Sequence, residues 1–450
     1  MSEVYKKNMD LYNDSIVIDG LNVSNWDSPA VFRSLNSGGV TAINATVATW
    51  ENYNETVKSI TQWNTKFESS SQMISKVTGT DDILDCKKTR KTGIILGFQN
   101  ASPIENNLDN LVTFYDMGVR IIQVTYHERN LLGNGCYERR DDGLSSFGID
   151  AVKEMNRLGI LMDLSHVGTK TTIDTIEISD KPVSCTHANS KAYYDVPRNK
   201  ADNALKLLAE KGGVVGATCI TTFLQSGRAS NLRDYIEAID RLVDLIGVDH
   251  VGIGTDFTQD QPVSFWRYIS SQQGTKYPAT FIDPDQKWIV NDPTLYPSGL
   301  QTPDDFVNIA LGLHDRGYKP EDIRKILGGN WLRLFDQKGN ELASWIERLP
   351  DSAAGFAIDS EQIRKTHDTG PFTGQLFIHV LNASGHDVVK YALDVYDDEG
   401  DIQSCTHDAN AWPSAKRWSG SLDIAFSTHP TTDAGIPDAL IPNGSGKSSR

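Results

Sequence analysis

Two histidines and one aspartate stand where their side chains could bind a metal ion. His166, His187 and Asp256 each close a short run of mostly apolar residues. Such a run predicts a parallel strand that is buried on both faces, and barrel enzymes carry their chemistry at the C-terminal ends of such strands. Two imidazoles and one carboxylate can hold a divalent transition metal and leave positions open for water. We therefore predict a metal site with these three ligands.

Eight runs of strand length recur between residues 15 and 254. The predicted strands are 15–19, 41–45, 93–98, 120–125, 161–164, 183–186, 213–217 and 251–254. Four segments between them have the three- and four-residue apolar spacing of amphipathic helices: 108–117, 148–158, 200–210 and 232–246. Each of the four is followed by a glycine, which favours the left-handed end of a helix: Gly118, Gly159, Gly212 and Gly247.

Alternating strands and helices predict a parallel sheet, and eight such units predict an α/β fold of the (β/α)8 TIM barrel type. An open doubly wound sheet is the alternative, although no GxGxxG loop follows an early strand. The aromatic-rich segment 260–303 is too long for a plain connection, so we interpret it as a lid or a pocket wall. We place the barrel in residues 1–349.

Residues 350–450 predict a small C-terminal β-rich appendage. Strand-like runs occur at 375–381, 388–396 and 422–427, with turn-like residues after the first two. The final segment is polar, and we expect it to be disordered.

Charge and cysteine content narrow the class of protein. The formal net charge is -16 and the pI is near 5.1, which argues against nucleic acid and anionic membranes as partners because both require a basic face. The first ten residues contain no apolar core of a secretory signal. The five cysteines are dispersed and form no disulfide framework. These features predict a cytoplasmic protein.

Five ordered motifs resemble the membrane (renal-type) dipeptidases, a branch of the metal-dependent amidohydrolase superfamily. They are Gly143-Leu-Ser-Ser-Phe-Gly148, Asp163-Leu-Ser-His-Val167, Pro197-Arg-Asn199, Gly252-Ile-Gly-Thr-Asp-Phe257 and Gly329-Asn-Trp-Leu-Arg333. The resemblance runs from about residue 19 to about residue 335. It implies a barrel that holds two zinc ions and cleaves dipeptides with a metal-activated water.

The resemblance also implies roles for individual residues. His166 and His187 match the family's histidine ligands after strands five and six, and Asp256 matches its aspartate after strand eight. Arg198 matches an arginine that faces the substrate, so we expect it to bind a substrate carboxylate or an oxyanion. Asp256 could also act as a general base.

The first half of the family's metal site is not reproduced. Where the family has His-x-Asp after strand one, this chain has Leu21 and Val23, neither of which can bind a metal. Where the family has a bridging glutamate, this chain has Gln99, a neutral amide. Two nearby dications need anionic charge between them. We therefore predict one divalent metal ion, with zinc as the default and iron or manganese as alternatives.

Tyr126 and His127 follow the fourth predicted strand, near the place where the family carries a histidine or a Tyr-Asn pair. We interpret them as candidates for oxyanion stabilisation. The resulting hypothesis is a metallo-dipeptidase-like amide hydrolase that acts on a small-molecule substrate with a carboxylate. A one-metal hydrolase or lyase for another amino-acid derivative and a binding-only pseudoenzyme remain open, as does a homodimeric assembly.

Overall fold

The computed structural model of the chain describes residues 3–270 and 295–339, together with three strands near the C-terminus. The chain divides into two compact units, Met1–Gly339 and Asn340–Arg450. None of the helices in the described ranges is both long and apolar enough to cross a membrane. The four cysteines in these ranges are free thiols: Cys86, Cys136, Cys185 and Cys219.

Parallel strands form the centre of the first unit. In chain order the strands of the described ranges are β1 Ile18–Asn22, β2 Ala42–Ala48, β3 Ile74–Lys76, β4 Thr92–Phe98, β5 Val119–Gln123, β6 Leu161–Asp163, β7 Ser184–Cys185, β8 Val214–Ala217 and β9 Val251–Ile253. Eight of them overlap the eight predicted strands, although β1 begins three residues after the predicted start at residue 15. The additional strand, β3, was missed because Ile-Ser-Lys is short and has no apolar run.

Eight of these strands close into a barrel. β1 pairs with β2 on one side and with β9 on the other, while β2 pairs with β4. The remaining neighbours follow chain order from β4 to β9, and β3 adds to β4 from outside the ring. The predicted (β/α)8 TIM barrel is therefore confirmed, and the doubly wound alternative is wrong because the sheet has no open edge between β1 and β9.

Helices surround this barrel. They are α1 Glu3–Asp14, α2 Pro29–Ser37, α3 Tyr53–Ser69, α4 Thr80–Thr89, α5 Asp109–Asp116, α6 Ser146–Leu158, α7 Thr169–Ile178, α8 Asp202–Glu210, α9 Leu232–Ile246, α10 Val263–Ser270, α11 Phe306–Asp315, α12 Pro320–Arg324 and α13 Asn330–Gly339. The four predicted helices are α5, α6, α8 and α9. The glycines that follow them all have positive φ; Gly159, for example, ends α6 at φ 77° and ψ 20°.

Trp331, from α13, fills the interior of the barrel. Its side chain is fully buried, and its indole nitrogen donates to the carbonyl of Ile253 at 2.9 Å. A Cβ atom at Gly20 or Gly252 would lie 2.6 or 2.5 Å from the indole ring. Glycine at both positions therefore gives the indole the space that it occupies.

The described residues of the second unit form three antiparallel strands. β10 Gly374–Leu381 pairs with β11 Asp387–Val395, which pairs with β12 Ala425–His429. These strands lie near the three strand-like runs of the predicted appendage. The predicted disordered end lies outside the described residues.

Candidate active site

Three histidine side chains meet at the C-terminal ends of β5, β6 and β7. His166 Nε2 lies 2.8 Å from His187 Nε2, and His166 Nδ1 lies 3.1 Å from His127 Nδ1. All three rings are buried. Burial lowers the pKa of each ring well below its usual value, and the positive charge of Arg198 lowers it further. The rings are therefore neutral, the state in which imidazole binds metals.

A hydrogen-bonded chain behind His187 sets its tautomer. The Thr186 hydroxyl donates to Asp163 Oδ2 at 2.7 Å, and the same hydroxyl oxygen lies 2.7 Å from His187 Nδ1. Because the hydrogen of the Thr186 hydroxyl is already donated to Asp163, His187 Nδ1 must donate its own hydrogen to the Thr186 hydroxyl oxygen. Nε2 then carries a lone pair toward His166. Outer partners of this kind orient metal-binding histidines.

Asp163 connects the loops that carry both histidines. Its Oδ1 accepts from the Ser165 amide at 3.0 Å, from the Ser165 hydroxyl at 2.5 Å and from the Thr186 amide at 2.8 Å. The Ser165 hydroxyl oxygen in turn accepts from the His187 amide at 3.0 Å. This carboxylate therefore fixes the loop after β6 relative to the loop after β7.

Changing Asp163→Asn should weaken metal binding by about ten- to a hundredfold, the usual effect of losing an outer-shell partner. An amide cannot accept at every position that the carboxylate occupies. Chelator competition would measure the affinity, and circular dichroism would verify folding.

Asp82→Asn is the matched control for this change. Asp82 also accepts hydrogen bonds from two amide groups and one hydroxyl group, those of Thr78 and Gly79, and its hydrogen-bond partners lie before α4, outside the loops that carry His166 and His187. Equal losses of metal affinity in the two variants would contradict the role assigned to Asp163.

Two buried cations hold the loop that carries His166. Arg198 donates to the carbonyls of Ser165 and His187, both at 2.7 Å. Lys200 donates to the carbonyls of Leu164 and Val167. The substrate role of Arg198 stays a prediction. In this structure its side chain is fully buried behind the histidines, a location that suits support of the site.

A pocket opens above His166. The empty space between its walls is about 970 Å³, including the mouth. Its polar lining comes from Gln99, Tyr126, His127, His166, Thr221, Thr222, Arg228, Asp256 and Thr258. The apolar lining includes Val23, Ile220, Phe223, Phe265, Trp266 and Ile269. A largely apolar cavity with a few convergent polar groups is the usual form of a small-molecule site.

Asp256 reaches this pocket through an uncommon backbone conformation. It follows β9 with φ 59°, in the left-handed region that few non-glycine residues adopt. Such outliers concentrate at functional sites. Burial raises the pKa of its carboxyl to about 7, and the positive charge of Arg198 opposes that rise.

Tyr126 and His127 also line the pocket, as their predicted role requires. The Tyr126 ring stacks on His166 with centroids 4.2 Å apart and an angle of 23° between the planes. Burial raises the pKa of the Tyr126 phenol well above its usual value, so the phenol keeps its proton. Both residues therefore lie next to His166, which forms a histidine pair with His187.

Leu21 and Val23 lie at the end of β1, and Gln99 directly follows β4. Val23 and Gln99 line the pocket, whereas Leu21 is 1% exposed. Their strands are separated in the barrel by β2 alone. The three positions that depart from the family pattern therefore lie on one side of the barrel, and none of them offers a charged ligand.

Sequence reasoning missed Arg228 and left the aromatics of the long segment unassigned. Arg228 lies in a short 3-10 turn after β8 and lines the mouth of the pocket. Phe265 and Trp266 belong to α10 and form part of the wall, which agrees with the predicted pocket wall in 260–303. Tyr277 and Trp288 of that segment lie outside the described residues. An arginine in a polar loop carries no sequence signal that marks it as a pocket residue.

The histidine pair fits half of a metal site. Two imidazole nitrogens bound to one zinc ion at about 2.0–2.1 Å would lie roughly 3 Å apart, close to the separation of His166 and His187 here. In the ranges 3–270 and 295–339, no three His, Cys, Asp or Glu side chains already converge around a common point. Asp256 is the carboxylate in the same pocket that could complete the set.

The barrel and its site define a protein with the metal-dependent amidohydrolase-type fold. Residues 7–271 match the membrane dipeptidase family, peptidase family M19. The match covers more than half of the chain, so the chain belongs to this family, as its motifs predicted. It is a dipeptidase-like hydrolase of a metal-dependent peptidase family.

Individual relatives agree with this assignment. The dipeptidase verJ of Clonostachys rogersoniana is 27% identical in an alignment of 341 positions that covers 71% of this chain and 76% of that protein. Dipeptidase 3 of Mus musculus is 27% identical over 267 residues, 58% of this chain, and the match spans only 47% of that relative.

Among solved structures, an amidohydrolase from Pseudomonas aeruginosa is 39% identical with a TM-score of 0.70, covering 74% of this chain and 98% of that one. A metallo peptidase from Rhodobacter sphaeroides, liganded with a phosphinate mimic of L-Ala-D-Ala, has a TM-score of 0.60 at 20% identity, covering 72% of this chain and 100% of that one. The second likeness concerns the fold alone.

Proposed function

We propose that this protein hydrolyses the amide bond of a dipeptide or a related small amino-acid derivative. The observation that carries the proposal is the approach of His166 Nε2 and His187 Nε2 to 2.8 Å beneath a pocket that Asp256 also lines. In the reaction, water adds its oxygen to the carbonyl carbon and the carbon–nitrogen bond breaks. The leaving nitrogen takes up one proton of the water, so a carboxylic acid and an amine form, and the acid then passes its proton to the amine.

His166, His187 and Asp256 would hold one divalent metal ion. When bound, the ion would polarise the water and the scissile carbonyl. Zinc is the default, and the same ligand set also suits iron or manganese. Leu21, Val23 and Gln99 provide no charged ligand for a second ion.

The remaining polar groups have roles that follow from their positions. Asp256 accepts a proton from the attacking water and delivers it to the leaving nitrogen. Tyr126 and His127 donate hydrogen bonds to the oxygen that becomes negative in the transition state. Arg228, at the mouth of the pocket, attracts the substrate carboxylate.

Elemental analysis of the purified protein should find one equivalent of divalent metal per chain after exhaustive dialysis. Removal of the metal by a chelator should abolish amide hydrolysis, and zinc should restore it. Magnesium serves as the control for readdition, since it prefers oxygen ligands. Two tightly bound equivalents would contradict the single-ion site, and activity that survives complete removal of metal would contradict the proposed chemistry.

A further inference from the structure

Asp256 has a backbone conformation that its surroundings must maintain. Its φ of 59° is in the left-handed region, which is unfavourable for a residue with a Cβ atom and persists only where neighbouring groups fix it. The backbone torsions of a residue set the direction of its Cα–Cβ bond. The groups that hold the backbone at Asp256 therefore decide where its carboxylate points within the pocket.

The amide side of Asp256 is held by β1. The Asp256 amide donates to the carbonyl of Leu21 at 3.1 Å. Asp19, which is fully buried, accepts from the amide of Thr255 at 2.8 Å and from the hydroxyl of Thr255 at 2.6 Å. These bonds fix the chain up to the amide of Asp256, and its carbonyl group is held from elsewhere in the fold.

The carbonyl side of Asp256 is held by the hydroxyl of Tyr296, a residue that precedes α11. This hydroxyl donates to the carbonyl oxygen of Asp256 at 3.1 Å and accepts from the amide of Thr258 at 2.7 Å. The Thr258 hydroxyl oxygen also lies 2.6 Å from it. Tyr296 is buried, and its ring packs edge-on against Phe257 with centroids 4.8 Å apart. One hydroxyl group thus bridges the peptide groups on both sides of Phe257.

We propose that Tyr296 is a positioning residue whose hydroxyl orients the Asp256 carboxylate for metal binding and for proton transfer. The carbonyl oxygen of a residue turns with its ψ torsion, so a bond to that oxygen restrains the torsion next to the side chain. Tyr296 is not among the described residues that line the pocket, so its effect on the reaction passes through the backbone that it holds. This inference rests on the proposed function, which makes Asp256 a metal ligand and a proton acceptor.

Tyr296→Phe tests the inference, because it removes the hydroxyl and keeps the ring against Phe257. Chelator competition on the full-length protein should show a loss of zinc affinity of about tenfold, the lower end of the usual effect of losing an outer-shell partner. At saturating zinc, kcat for L-alanyl-L-phenylalanine should fall by a similar factor. KM should stay nearly unchanged, because Tyr296 does not line the pocket.

Tyr12→Phe is the matched control. Tyr12 is also buried, and its hydroxyl also donates to a backbone carbonyl, that of Gly38 at 2.5 Å. Gly38 follows α2 and leads into the N-terminal end of β2, at the end of the barrel opposite the histidine pair. Loss of this buried hydrogen bond also costs stability, which thermal unfolding would measure, but it should leave zinc affinity, kcat and KM unchanged.

A double variant shows whether Tyr296 acts through Asp256. Asp256→Ala removes the carboxylate and should weaken zinc binding by itself. Adding Tyr296→Phe to Asp256→Ala should then lower zinc affinity no further, because two changes that act through one group are not additive. A further loss of about tenfold in the double variant would show that Tyr296 acts on the site by another route and would overturn the inference.

The remaining outcomes separate this inference from the proposed function. Unchanged zinc affinity in Tyr296→Phe overturns the inference, even if the unaltered protein hydrolyses the dipeptide and the proposed function stands. Equal losses of affinity in Tyr296→Phe and Tyr12→Phe overturn it as well, since they would reflect general destabilisation. A loss confined to Tyr296→Phe, in a protein that binds zinc and hydrolyses no amide, supports the positioning role and refutes the proposed hydrolysis.

Discussion

Replacing His187 by alanine should remove the bound metal ion and lower kcat/KM for amide hydrolysis by about a thousandfold or more, since metal-ion stabilisation of the transition state amounts to several kcal/mol. His166→Ala should have the same effect, because the two Nε2 atoms lie 2.8 Å apart and would share the ion. Both side chains lie at the catalytic ends of barrel strands, where residues serve function more than stability. The fold should therefore persist.

Metal content by elemental analysis, steady-state rates and thermal unfolding would test this expectation together. His250→Ala is the control, because the His250 ring is hydrogen-bonded as well, to the carbonyl of Gly213 at 2.8 Å, but lies away from His166 and His187. If both site variants unfolded while His250→Ala did not, the histidines would be core residues and the metal site would be wrong. Full activity in either site variant would likewise contradict the proposed metal site.

The triple change Leu21→His, Val23→Asp and Gln99→Glu should raise the metal content from one to two equivalents per chain. Leu21 and Val23 are two residues apart at the end of β1, which is the spacing of the first-strand ligands in the family pattern. Gln99 follows β4, which is separated from β1 by β2. The new histidine and two carboxylates would supply the charge that a second dication needs.

Hydrolysis of ordinary dipeptides should rise by about a hundred- to a thousandfold in the triple variant, the usual effect of one well-placed electrostatic contributor. The unaltered protein should turn over such dipeptides poorly. Gln99→Glu alone is the control and should still bind one ion, because β1 then offers no ligand. A triple variant that folds and binds one ion would show that the geometry of this barrel, beyond those three residues, prevents the second site. Efficient cleavage of many dipeptides by the unaltered protein would show that one ion is enough.

Local patterns were sufficient for the eight barrel strands and for the helices that end in glycine. Buried parallel strands need continuous apolar runs, and a positive φ at a helix end favours glycine. Both features can therefore be recognised in short stretches of sequence. β3 was missed because its own residues carry no apolar run that predicts a strand. Its three residues, Ile74–Lys76, become a strand by pairing with β4, and that pairing partner is absent from the local pattern.

The sequence by itself determined the fold class, the family and the ends of the strands that carry His166, His187 and Asp256, because periodicity and motif order are properties of the chain. Only the tertiary structure decided how the side chains act together. It placed the two terminal guanidinium nitrogens of Arg198 at backbone carbonyls, brought Arg228 to the pocket and left Gln99 Oε1 without a donor among the described residues. These facts depend on contacts between residues far apart in the chain, and a hydrogen bond is decided by distance and direction in space.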